Sequence, residues 1–383
     1  MSNDYTSRIT PYKTEPYGSR QDSYERSDGA EVKGKVNNWY NSFRTPKKKE
    51  YSGLPPRLDL DIVKKYNLRT ISFGNWVKQF DRLNFCATLD IALADLQSVI
   101  APVINNGLGK NELTVDWGGR GQKRALGLYQ SGARVINLRR FSRPDKLLKD
   151  LQELGQDTSP YLNKFFEPIK GQGGNTNYQL NTKGYIWVLG SSGFGSFAHE
   201  FGHYLDNYLG RQERASTGFI SGRGVLPLNY ELTLEDIQIA FFGKSGYSGI
   251  PARDLMLKVF IGIYYDKKTK NTVIGKVDYY TPSKALNNLD KYCQSTGGKE
   301  TYWLSFIEVW ARLFEVYVAM ELDSKGVSNT FLVGEAKKFE IQVKVVDGKE
   351  ITKEVGRLCY PDATSVKKVS KEIKQILNIF AKY

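Results

Sequence analysis

The sequence predicts an α+β fold in which amphipathic helices accompany a small mixed or antiparallel sheet. Three observations carry this. Leu83 to Ile100 sets apolar residues at Leu89, Ala92, Leu93, Leu96, Val99 and Ile100, the spacing of a helix with a core-facing side. Leu113 to Arg139 alternates strand-like runs (LTVDW, RALGLY, RVINL) with glycine punctuation (GGRGQ, QSGA), which reads as a small sheet. Two further segments, SFAHEFGHYLDNYLG with Gly210 as its stop and YWLSFIEVWARLFEVYVAMEL from Tyr302 to Leu322, have helical apolar stripes with charged residues beside them.

The remaining chain follows in order. Residues 1–53 are polar, carry no period and end near the basic run Lys47-Lys48-Lys49, so they read as a disordered tail. Pro55-Pro56 begins the folded body, residues 54–383. Gly118-Gly119-Arg120-Gly121 reads as a hairpin turn, since it lacks the Gly-Lys-Ser/Thr ending of a phosphate-cradling loop. GQGGNTN from Gly171 reads as loop, and Tyr185 to Leu189 as a buried strand that leads into the turn starting at Gly190. An insertion of about 211–299 separates the two helices, and about 335–356 reads as an added hairpin with its turn at Asp347-Gly348.

Composition bounds the rest. The 383 residues suffice for a core of one large domain or two ordinary ones. Cys86, Cys293 and Cys359 form neither a disulfide framework nor a zinc ribbon, which fits a reducing compartment. The N-terminus lacks a signal-peptide core, and apolar runs such as Val259 to Tyr265 are short of a membrane span, so a soluble intracellular protein is expected. The net charge of +14 attracts phosphate, but the lysines are dispersed; only weak, salt-sensitive and non-specific nucleic-acid binding is expected.

The chemistry lies in His199-Glu200-Phe201-Gly202-His203. On a helix, residues four apart share a face, so both imidazoles can hold one metal ion while Glu200 lies beside the open position as general base. Zinc is the expected metal, and hydrolysis the expected reaction. The chain has only 2 histidines, which makes this spacing hard to obtain by chance. Asp206 shares the helical face but lies roughly 10 Å along the axis from His199, too far to join it on one metal. It could accept a hydrogen bond from a ligand imidazole or be an ordinary surface aspartate. No histidine remains for the third ligand, so a carboxylate is expected. Glu308, Arg312 and Glu315 run in one row beside the apolar stripe of the later helix. One carboxylate on the metal and the other paired with Arg312 would satisfy both.

The ordered blocks ISFGNWV, ALADLQSVI, GGRGQKRALGLYQSGARVINL, GSFAHEFGHYLDN, EVWARLFEVYV and CYPDATSVKKVSKEI, over about residues 68–380, resemble the first large polyvalent protein-associated domain of bacteriophages and mobile elements. The resemblance implies a zincin-like metallopeptidase fold, with an active-site HExxH helix and a second ligand-bearing helix. It puts the third ligand on Glu308. The HExxH helix followed by an E-x-x-A helix is also similar to the catalytic domain of anthrax lethal factor, a gluzincin, whose tyrosine before the ligand glutamate assists the transition state; Tyr302 is the nearest counterpart. Phe201 stands where the family's motif usually has tryptophan, a change in packing. The implied function is a phage- or mobile-element-encoded zinc metallopeptidase acting on a protein or peptide in the cytoplasm of a bacterial host or recipient, with association with the virion as a further implied setting. The alternative is a basic virion, injection or DNA-associated protein that retains the zincin fold.

Overall fold

Trp39, Tyr40 and Phe43 are buried, each 5% exposed or less, within the stretch 1–53 expected to be a tail. The computed structural model describes residues 39–48, 58–74, 77, 79–100, 104–117, 127–138, 164, 166–170, 176–180, 193–273, 275–295, 300–334, 339–346, 349–356 and 358–383. The rest of the tail, the Gly118–Gly121 turn, the loop from Gly171, the Tyr185–Leu189 strand and the Asp347-Gly348 turn lie outside the described residues. The architecture is α+β, and the chain divides into two units: Met1–Ala92, Glu112–Phe197 and Asn329–Gly334; and Leu93–Asn111, Ala198–Ser328 and Glu335–Tyr383.

The first unit contains α1 (Tyr40–Phe43), β1 (Arg44–Thr45), α2 (Leu58–Tyr66), β2 (Thr70–Phe73) and the first part of α3 (Gln79–Ile100). It continues with β3 (Thr114–Trp117), β4 (Gly127–Gln130), β5 (Val135–Leu138), β6 (Phe166–Lys170) and β7 (Thr176–Leu180). Four strands form a mixed sheet in the order β2-β3-β5-β4, parallel except for β4. Ile71, Val115 and Ile136 stand in register across it, and all three are buried. Sequence reading had not identified β2 as a strand: a parallel neighbour needs a long crossover, here α3, and leaves no local hairpin signal. Phe85 of α3 packs within 5.5 Å of the Trp117 ring and 5.1 Å of Phe194, and Phe194 meets Phe331 at 4.8 Å, an aromatic core just ahead of the next helix. By length and composition Arg82–Ile100 could cross a membrane, a run that sequence reading overlooked; 72% of it is buried in the structure, as in a core helix.

The second unit contains α4 (Phe197–Gln212, from Ala198 on), α5 (Leu234–Phe242), α6 (Pro251–Tyr264), the antiparallel hairpin β8 (Tyr265–Thr272) and β9 (Gly275–Pro282), α7 (Lys284–Ser295) and α8 (Glu300–Trp303). After these come α9 (Phe306–Ser324), β10 (Ser328–Asn329), the hairpin β11 (Phe339–Val346) and β12 (Lys349–Gly356), α10 (Ala363–Lys368) and α11 (Ser370–Lys382). Gly210 does not stop α4, which runs on to Gln212. A Cβ there would lie 2.5 Å from the Gly218 carbonyl oxygen, so its small size serves the close return of the following loop. Phe380 of α11 packs edge-on against Phe201 and Tyr204 of α4 at 6.1 and 6.3 Å.

The expected single helix from Tyr302 to Leu322 is instead two. Leu226 N–H donates to the Leu304 carbonyl and Phe306 N–H to the Gly224 carbonyl, which holds Leu304 and Ser305 extended between α8 and α9. Ser305 then caps α9 by accepting the Glu308 amide.

Candidate metal centre

His199 and His203 lie one turn apart on α4, their rings nearly perpendicular with centroids 4.8 Å apart. Glu308 comes from the first turn of α9, where the Ser305 cap starts the helix. Its Oε2 lies 3.5 Å from His199 Nε2 and its Oε1 lies 3.5 Å from His203 Nε2. The three side chains can each offer one ligand atom such that all lie within 4.8 Å of one another. Two donors bound tetrahedrally at the usual zinc distances are separated by about 3.3 Å, so the spacing suits a shared ion better than direct hydrogen bonding. Among the described residues, both Nδ1 atoms and Glu308 Oε2 are buried without a hydrogen-bond partner. A set of two imidazoles and one carboxylate with no thiolate suits zinc along with the other imidazole-binding divalent metals. The residues therefore fit a zinc ion.

The electrostatics point the same way. Burial pulls the His199 imidazolium down, but Glu308, Glu200 and Glu315 outweigh it and the net shift is upward. Burial pushes the Glu308 carboxyl up, yet the two imidazoles hold it well below the ordinary carboxylate range. The site thus favours positive charge among its imidazoles, which a divalent cation would supply.

Glu200 is 5% exposed and close enough to act electrostatically on both His199 and Tyr302. Tyr302 is 46% exposed as a residue, and burial around its hydroxyl, followed by the Glu308 charge, pushes the phenol upward. The break between α8 and α9 makes this possible, because six residues on one helix would put Tyr302 and Glu308 on different faces. Arg312 is 2% exposed; its Nη1 lies 3.8 Å from Glu308 Oε2 and its Nη2 donates to the Trp303 carbonyl. Glu315 is fully buried, accepts a hydrogen bond from Tyr360 at 2.9 Å and lies 3.9 Å from His199 Nδ1.

Asp206 is neither at the surface nor bonded to a ligand imidazole. It is fully buried, and its carboxylate accepts from the Ser221 amide at 2.9 Å and from the Ser221 hydroxyl, tying down the loop after α4. Sequence reasoning missed two contributors. Trp310 Nε1 donates to the Gly202 carbonyl at 3.1 Å, joining α9 to α4 at the motif's glycine. Tyr360 sits in the CYPDAT block, where nothing local marks it as part of a site.

Residues 295–383 match the family model of the large polyvalent protein-associated domain 1. The match includes Tyr302, Glu308, Arg312, Glu315 and Tyr360, and begins after the His199–His203 helix. No curated protein and no solved structure matches the chain.

Proposed function

We propose that this chain is a zinc-dependent metallopeptidase with a zincin-like, gluzincin-type site, in which His199, His203 and Glu308 hold the metal and Glu200 is the general base. The observation that carries the reading is the meeting of two imidazoles from α4 and one carboxylate from α9, with N–O separations of 3.5 Å, beside a glutamate that no ligand role requires. A purely structural metal site has no need of that glutamate. A zinc ion bound there supplies Lewis acidity toward a substrate carbonyl and lowers the pKa of water toward neutrality. Glu200 takes the proton from the attacking water and passes it to the leaving amine. Tyr302 donates its hydroxyl proton in a hydrogen bond to the oxygen that gains charge. The substrate class is protein or peptide, and the resemblance supports a phage or mobile-element setting, with action inside a bacterial cell.

The test is metal analysis of the purified full chain with a peptide-library cleavage assay, with and without chelator. Zinc content near one per chain and chelator-sensitive cleavage are expected. Glu200→Gln should retain zinc and lose cleavage; full activity in that variant would remove Glu200 from the base role.

A further inference from the structure

The two candidate ligand imidazoles are supported unequally. Behind His199, on the side away from Glu308, Glu315 Oε2 lies 3.9 Å from Nδ1. Glu315 is two turns beyond Glu308 on α9 and fully buried, where a carboxylate needs donors to offset its lost hydration. One donor is the Tyr360 hydroxyl, 2.9 Å from the same Oε2. Tyr360 lies two residues before the cap of α10, where Asp362 accepts the Ser365 amide at 2.9 Å. Burial, then the Glu315 charge, pushes the Tyr360 phenol up, so it keeps its proton and remains a donor.

We infer that Tyr360 is a positioning residue that acts through Glu315 to fix the His199 ring, with Nδ1 protonated toward Glu315 and Nε2 turned toward Glu308. The buried Nδ1 otherwise has no hydrogen-bond partner. A proton on Nδ1 satisfies that nitrogen and adds a donor to the Glu315 oxygen that Tyr360 also reaches. It also turns the Nε2 lone pair toward the charged Glu308 carboxylate, an arrangement that is repulsive unless a cation stands between them. The 3.9 Å separation is long for a hydrogen bond, and a movement of roughly 1 Å by either side chain closes it to bonding distance. Among the described residues His203 Nδ1 has no hydrogen-bond partner, and Asp206, whose charge reaches His203, is bonded to Ser221, so the two imidazoles should behave differently although they stand on one helix face. The consequence for metal binding rests on the reading proposed above, since a carboxylate behind a ligand imidazole orients the ring and raises its basicity.

The chain's 2 histidines make the test direct, because nitrogen NMR of the imidazoles has only two rings to separate. The metal-free full chain is compared with Tyr360→Phe and Glu315→Gln at alkaline pH, where both rings are neutral. Glu308, 3.5 Å from Nε2, competes for the same proton, so the expected reading is a difference: the Nδ1-protonated fraction of His199 is highest in the wild type, lowest in Glu315→Gln and intermediate in Tyr360→Phe. Zinc affinity, read by chelator competition, should fall by about ten-fold in Glu315→Gln and several-fold in Tyr360→Phe. The double variant should be no weaker than Glu315→Gln alone. An unchanged tautomer in Tyr360→Phe, or losses that add in the double variant, would overturn the relay; the mild tyrosine change keeps the test open if Glu315→Gln fails to fold. Absence of zinc binding with the tautomer pattern intact would sink the metal reading while supporting the relay, and zinc binding with an unchanged tautomer would do the reverse.

Discussion

Nε2 of His203 lies 3.5 Å from Oε1 of Glu308, the same distance that separates Nε2 of His199 from the other oxygen of that carboxylate. One side chain on α9 therefore spans both imidazoles of α4. The site depends on how closely two helices approach as much as on the residues themselves.

His203→Ala should abolish stoichiometric zinc binding, because it leaves one imidazole and one carboxylate where a catalytic site uses three protein ligands. Glu308→Gln keeps the volume and removes the charge, and should lower zinc affinity by at least about ten-fold, the smallest cost associated even with groups behind the ligands. Competition against a chromogenic chelator reads both. Wild-type affinity in either variant would refute the ligand set.

The pH dependence has a definite sign. The His199 pKa is raised above 6.5, so its contribution to the stability of the metal-free protein is fully present below about that pH and lost as pH rises through the raised value. Glu308, held well below the carboxylate range, stays charged throughout that interval. Zinc must displace the proton from His199, so its affinity should climb over the same interval. The rise in melting temperature on adding zinc should therefore grow from mildly acidic to mildly alkaline pH. A zinc effect that shrinks as pH rises would contradict the assignment.

The parts of this arrangement differ in how legible they were. His199 and His203 sit four apart on one element, so local geometry alone brings them together. Glu308 was harder, because Glu315 occupies the same helical row; the choice rested on a resemblance and on an expected Glu315–Arg312 pair, whereas Arg312 lies beside Glu308 itself. The break at Leu304 and Ser305 was invisible because Gly224 and Leu226, inside the long insertion, make the bonds that cause it. Asp206 was misread for the same reason, as its partner Ser221 lies in the returning loop. Trp39 and Tyr40 were hidden by the polar residues around them, since burial depends on what two aromatic rings meet in space. Long-range contacts leave no period in a sequence, and most of what positions this site is long-range.

Asp206 offers a test of that loop. Burial raises its carboxyl to about 6, against the pull of the Ser221 hydroxyl and amide, His203 and the Ile220 amide. A raised carboxyl pKa adds stability below the ordinary value of 3.8 and loses it as pH rises through about 6. The cost of the charged form is roughly 3 kcal/mol, from about 1.4 kcal/mol per unit. Asp206→Asn can keep both Ser221 bonds, accepting from the amide and donating to the hydroxyl oxygen. In the metal-free protein it should be neutral or slightly harmful near pH 4 and stabilising near pH 8. Denaturant melts at the two pH values decide it; destabilisation of equal size at both would show that the carboxylate is needed for its charge.

Gly202, in the middle of the metal motif, stands at a close approach of α4 and α9. A Cβ at this position would lie 3.2 Å from the Ala311 Cα and 3.2 Å from Phe314 Cδ1, tighter than ordinary contact. The Gly202 carbonyl also accepts the Trp310 indole N–H at 3.1 Å, so the backbone itself is part of the joint. Two effects oppose each other in Gly202→Ala. Alanine favours a helix interior over glycine by about 1 kcal/mol, while forcing a methyl group into a packed interface costs about 1–3 kcal/mol. Because Ala311 Cα is backbone and cannot rotate away, the packing cost should prevail, and the helices should part by a few tenths of an ångström. Glu308 would then draw back from both imidazoles at once. Gly202→Ala should therefore bind zinc several-fold more weakly with only a modest loss of stability, and Gly202→Val, with two further methyl groups, should lose the metal. If Gly202→Ala were more stable than the wild type with undiminished zinc affinity, helix propensity would have won, and the spacing of α4 and α9 would not be what sets the site.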